Sequence, residues 1–96
     1  MNLIIHPEAS VDIQEEADYY ENIQPGLGLA FLDEVDAAIE TVLSMPQAFP
    51  ERRKDIRIFI FARFPFSLLY RANETELQVL VVRHHARREE YGMERV

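Results

Sequence analysis

The sequence predicts an α+β domain: an N-terminal strand, an antiparallel two-helix hairpin packed on one face of a small sheet, and a three-stranded antiparallel meander. Three observations predict it. The first half repeats apolar residues at helical spacing in two stretches. The second half holds three runs rich in β-branched and aromatic residues, separated by short breaks. The chain has 96 residues, enough for one domain, so residues 1–96 are read as a single unit.

The elements follow in order. Leu3-Ile4-Ile5 is a short apolar run that reads as the first strand. Pro7 suits the first turn of a helix, where its missing N–H costs nothing. Ala9, Ile13, Ala17 and Tyr20 then form one apolar helical stripe, with acids on the opposite side. Glu8 and Asp12 lie near the helix start, where the macrodipole favours them. The helix is expected to end near Ile23-Gln24, because Pro25 disfavours helical geometry in the residue before it. After the turn Pro25-Gly26-Leu27-Gly28, a second stripe runs through Phe31, Val35, Ala38, Ile39, Val42 and Leu43 to a stop at Met45-Pro46. So short a connection makes the two helices an antiparallel hairpin.

Gln47 to Asp55 reads as an exposed linker anchored by Phe49-Pro50. Residues 56–61, 66–71 and 77–82 then read as the meander. In its first strand Ile56, Ile58 and Ile60 line one face, and Arg57, Phe59 and Phe61 the other. Two helices cover one face of a small sheet. The second face is expected to be free, partly apolar and edged by Arg57, Arg71 and Arg83, as interaction surfaces are. The alternative is that the polar tail, Arg87 to Val96, folds back over it.

Charge is divided along the chain. Residues 1–50 carry ten acids and no Lys or Arg, whereas all ten basic residues follow Pro50, for a net −7. The acids read as a solvated helix face. An acidic chain is a poor non-specific binder of DNA or RNA, so no direct nucleic-acid binding is expected. There is no Cys, hence no disulfide, thiol nucleophile or Cys-ligated zinc. Met1 to Pro7 shows no signal-peptide pattern, and no run approaches a bilayer span. A cytoplasmic, membrane-free protein is the expectation.

Chemistry-bearing residues are few. His84 and His85 are adjacent and point to opposite faces if they continue the last strand, so no metal site and no cofactor is expected. Ser10, Ser44 and Ser67 sit on no nucleophile elbow, and the three glycines form no phosphate loop. What remains is a C-terminal cluster of His84, His85, Arg87, Arg88 and Tyr91, joined by Arg57. Histidine can move protons near neutral pH, and arginine can hold a phosphate. Those groups would serve a metal-free ribonuclease. The plainer reading pairs Arg87 and Arg88 with Glu89 and Glu90.

The whole chain resembles the RelE/ParE superfamily of type II toxin–antitoxin toxins. The resemblance rests on Pro7, Ala9 and Asp12-Ile13, then Tyr19-Tyr20, Pro25-Gly26-Leu27-Gly28, Phe31 and Glu34-Val35. It continues through Ala38-Ile39, Pro46, Phe49-Pro50 and Arg57. Its most specific part is Phe64-Pro65-Phe66 and Tyr70, which read as a structural motif, followed by His85, Arg87-Arg88 and Tyr91. The chain departs from the pattern at Glu90 and Gly92, around the last Tyr, and at Phe66, where Tyr is commoner.

The resemblance implies a toxin that a cognate antitoxin neutralises, as a homodimer or a toxin–antitoxin hetero-oligomer. Its expected contact residues are Arg57, Phe59, Phe61, Arg71, Arg83, His85, Arg87, Arg88 and Tyr91. ParE-like members inhibit DNA gyrase by protein contact. RelE-like members cut mRNA on the ribosome, and there the candidate catalytic set is Arg57, His85, Arg88 and Tyr91. The net charge of −7 and a first helix without Lys or Arg favour the ParE-like, non-enzymatic reading. A non-toxic, antitoxin-binding relative is the third alternative.

Overall fold

A computed structural model describes residues 1–96. The elements are β1 (Asn2–Ile5), α1 (Pro7–Ile23), α2 (Leu27–Ser44), β2 (Glu51–Arg53), β3 (Ile56–Ile60), β4 (Phe66–Ala72) and β5 (Glu76–His84), with a final 3₁₀ turn at Met93–Arg95. The α+β order, the hairpin and the meander are those the sequence predicts. The sheet has five strands in the order β1-β5-β4-β3-β2. β1 runs parallel to β5 and every other pairing is antiparallel. β2 falls inside the expected linker: its three residues are exposed and charged, and Glu51 and Arg53 pair with Arg57 and Ile56 at the start of β3. No helix is long and apolar enough to cross a membrane.

Local chemistry fixes the hairpin. His6 caps α1, its Nδ1 accepting the Glu8 N–H at 3.1 Å, and Pro7 opens the helix. The Glu21 carboxylate reaches across the turn to accept the N–H groups of Gly26 and Gly28, both at the start of α2. That places a negative charge at the positive end of the second helix. At Gly28 the helices touch: a Cβ there would lie 2.5 Å from the Ala17 carbonyl oxygen.

The main core lies between the hairpin and the sheet. Ala9, Ala17, Phe31, Val35, Ala38, Ile39 and Val42 meet Phe61, Phe64, Phe66, Leu68, Tyr70, Leu77, Val79 and Val82. Phe31 is fully buried among the rings of Tyr20, Phe61, Phe64 and Phe66. Burying one such side chain contributes about 2 kcal/mol. Arg57, Phe59 and Phe61 point to this side. Phe61 is buried, Phe59 stacks on Phe49 at 5.0 Å, and Arg57 donates to the Phe49 carbonyl and to Gln47. These three are therefore not on a free face, contrary to the expectation of contact residues there.

The second face is covered in part. Ile56, Ile58, Leu69, Leu80 and Val81 form a second cluster, and Tyr91 and Met93 of the tail pack over it. A bulge in β5 produces this cluster: Leu69 opposes Val81 and Tyr70 opposes Val79, so Leu80 is an extra residue and shares a face with Val81. Gly92 lets the tail approach. Its φ is +85°, and a Cβ would lie 2.4 Å from the Val81 Cγ2. Gly92→Ala should lower stability by about 2 kcal/mol in urea unfolding, through strain and overpacking, with the helical circular-dichroism signal of the folded protein unchanged.

Candidate functional site

The tail is held by a buried polar cluster. β1 pairs with β5 only as far as Ile5, opposite Val79. Beyond that point two groups on β5 are met by side chains instead of a strand. The Val82 N–H donates to Asp12 Oδ2 at 3.2 Å, and the Leu80 carbonyl accepts from Arg95 Nη1 at 3.0 Å. Asp12 and Arg95 are themselves paired, Nη1 to Oδ2 at 2.6 Å and Nη2 to Oδ1 at 3.2 Å. Their side chains are 5% and 4% exposed. The Tyr91 hydroxyl donates to Asp12 Oδ1 at 2.8 Å. Burial, followed by that hydrogen bond, raises the Tyr91 pKa. Two guanidiniums lie near the Tyr91 ring, that of Arg87 at 4.5 Å and that of Arg95 at 5.3 Å from its centroid.

The histidines diverge as alternation requires. His84 faces the helices, edge-on to Phe66, in an open hollow of about 400 Å³ lined with Glu16, Tyr19, Tyr20, Ile23 and Arg87. His85 faces the other way and its Nε2 lies 2.8 Å from the Ser67 Oγ. Ser67 is buried, and no third polar side chain is bonded to the His85 ring.

On the second face, Arg71 of β4 and Arg83 of β5 lie at opposite ends of the β4–β5 pair. Arg71 is opposite Gln78 and donates to it, whereas Arg83 is opposite Ser67. Arg83 lines an open groove of about 280 Å³ with Arg52, Ile58, Ile60, His85 and Arg87. Burial, then the nearby positive charge of Arg52, lowers its pKa. Glu89, expected to serve Arg87 or Arg88, instead pairs with Arg52 at 2.6 Å. Arg88 is exposed.

The structural motif is core. Phe64 and Phe66 pack on Phe31, the Pro65 carbonyl accepts the His85 N–H, and the Tyr70 hydroxyl donates to the Pro46 carbonyl at 2.7 Å. Burial raises the Tyr70 pKa. Sequence reasoning assigned Asp12 to the helix dipole and passed over Arg95. The available signal was Asp12 itself, three residues after Ala9 and next to Ile13, on the edge of an apolar stripe.

Residues 3–89 match the family model of the ParE toxin of type II toxin–antitoxin systems, parDE. The chain belongs to the ParE toxin family. A solved structure titled as the chromosomal ParDE toxin–antitoxin system from P. aeruginosa shares the fold, with a TM-score of 0.70 and 24% identity, over 88% of this chain and 95% of that one. No curated protein sequence matches. The ParE match takes in Asp12 and stops short of Tyr91 and Arg95. Removing the acid should expose how much this toxin fold depends on the cluster. Asp12→Ala strands a buried guanidinium and should cost about 3–5 kcal/mol, measured by denaturant unfolding.

Proposed function

We propose that this chain is a ParE-type toxin that inhibits DNA gyrase by protein contact and is neutralised by a cognate antitoxin. The observation that carries this reading is the dispersal of the nuclease set. Arg57 lies on the helix side of the sheet, bonded to Phe49 and Gln47, while His85 lies on the opposite side. The Tyr91 hydroxyl is committed to Asp12, and its raised pKa makes it a poor proton source near neutral pH. A general acid and base must converge on one reacting phosphate, and these groups do not.

Charge supports the same reading. All the acids of residues 1–50 are carried by the two helices, so one layer of the molecule repels polyanions. A toxin working against ribosomal RNA would meet that repulsion, and a toxin working on a protein need not. Antitoxin neutralisation fits the family and the uncovered basic groove at the end of the sheet.

Purified protein should block gyrase supercoiling at stoichiometric concentration, and His85→Ala should remain toxic when expressed without antitoxin. Cleavage of mRNA in a translation extract with no effect on gyrase would overturn the proposal. Normal growth on induction would support the non-toxic alternative.

A further inference from the structure

The hollow beside His84 has two walls of opposite charge. One is the second half of α1, where Glu16, Tyr19, Tyr20 and Ile23 recur at helical spacing on one face. The other is the end of β5 and the turn after it, with His84 and Arg87. That turn is fixed locally: His84 Nδ1 accepts the Ala86 N–H, and the His84 carbonyl accepts the Arg87 N–H, each at 2.9 Å. The Arg87 guanidinium lies against the Tyr91 ring, which positions it without neutralising its charge. The ion pairs of the molecule are Arg52–Glu89, Arg95–Glu8 and Arg95–Asp12, so Glu16 and Arg87 pair neither with each other nor with any other charge. An acid on one wall and a base on the other are both left open to a bound molecule.

The inner lining is aromatic and held by the core. The Tyr20 ring rests on Phe64 at 4.9 Å, Phe31 at 5.5 Å and Phe66 at 6.2 Å, and His84 meets Phe66 edge-on at 5.0 Å. A lining fixed in this way needs little ordering when a ligand enters. Burial, then the charge of Glu16, raises the Tyr20 pKa, so its hydroxyl remains a donor. Tyr19 and Ile23 are 59% and 58% exposed, apolar surface that a ligand would cover. The volume of about 400 Å³ lies within the range of small-molecule sites, roughly 300–1,000 Å³.

We propose that this hollow binds a free aromatic amino acid, its ammonium on Glu16, its carboxylate on Arg87 and its ring against Tyr20 and Ile23. The arginine fork matches a carboxylate in two parallel hydrogen bonds. An ammonium beside Glu16 also meets the electron-rich tyrosine rings. A zwitterion answers both walls at once, whereas one side chain of a protein partner carries a single charge and answers only one. Having no net charge, it is not repelled by the acidic layer of the molecule. Bound there, it would join α1 to the turn after β5 and stabilise the folded chain by mass action. The site goes beyond the toxin reading and stands whether or not gyrase is the target.

The test adds L-tryptophan to the full isotope-labelled chain and follows it by NMR. Saturable shifts are expected at the Ile23 methyls and at the Tyr20 and His84 rings, with a Kd at or below about 1 mM. Tryptamine, which lacks the carboxylate, and indole-3-propionate, which lacks the ammonium, should each bind at least about fivefold more weakly, the effect of one charge-assisted contact at a partly exposed site. Glu16→Gln should weaken tryptophan and tryptamine but not indole-3-propionate, and Arg87→Gln should weaken tryptophan and indole-3-propionate but not tryptamine. Absence of saturable shifts, shifts confined to residues outside the hollow, or equal binding of the three indoles would each overturn the inference. The comparison of the three indoles needs no variant protein, so it decides the matter even if a substitution disturbs the fold.

Discussion

A strand that outruns its neighbour leaves backbone groups with no ladder to join. β5 continues past Val79, where β1 ends, and its Val82 N–H and Leu80 carbonyl face this lack. Asp12 from the first helix and Arg95 from the last turn supply the missing donor and acceptor, and they neutralise each other while doing so. Tyr91 adds a third bond to the same carboxylate. Each member is satisfied chiefly by the others, so the cluster gains by being complete and loses disproportionately when one part is removed. It also fastens the two ends of the chain across the sheet. The Arg95 Nε remains the one buried side-chain polar atom without a partner, 3.9 Å from Glu8.

Much of the remaining architecture follows from that fastening. With the tail held, Tyr91 and Met93 cover an apolar cluster that would otherwise be a large exposed patch. Gly92 permits the close approach to Val81. Covering is incomplete at one end, where Ile60, Arg52 and Arg87 stay accessible. The division of charge in the sequence thus becomes a division of space. The acidic hairpin forms one outer layer, and the basic residues gather on the sheet, its turns and the tail. The uncovered end is small, basic at the rim and aliphatic at the floor.

The sequence made the helices and the meander legible because their periods differ, 3.6 against 2, and because Pro25 and Pro46 punctuate them. β2 was not legible: Glu51, Arg52 and Arg53 are all exposed and take their structure from the edge of β3 alone. The contact faces of β3 were misassigned because strict alternation does not say which face the helices take. The β5 bulge added to this, since it puts consecutive Leu80 and Val81 on one side. The docking of the tail depends on Asp12 and Arg95, which are 83 positions apart, and no local pattern encodes such a pair. The candidate site suffered for the same reason. Tyr91 looked available for chemistry until Asp12 was seen to hold its hydroxyl.

The central claim is that Asp12 and Arg95 jointly close the edge of β5 and hold the tail on the sheet. Native-state hydrogen exchange on an Arg95→Met variant tests it most directly. The amides of Val82, Tyr91, Met93 and position 95 should exchange at least about tenfold faster than in the unmodified protein, while those of the β3–β4 ladder stay protected. Unchanged exchange at Val82 and in the tail, or an equal loss of protection throughout the sheet, would contradict it.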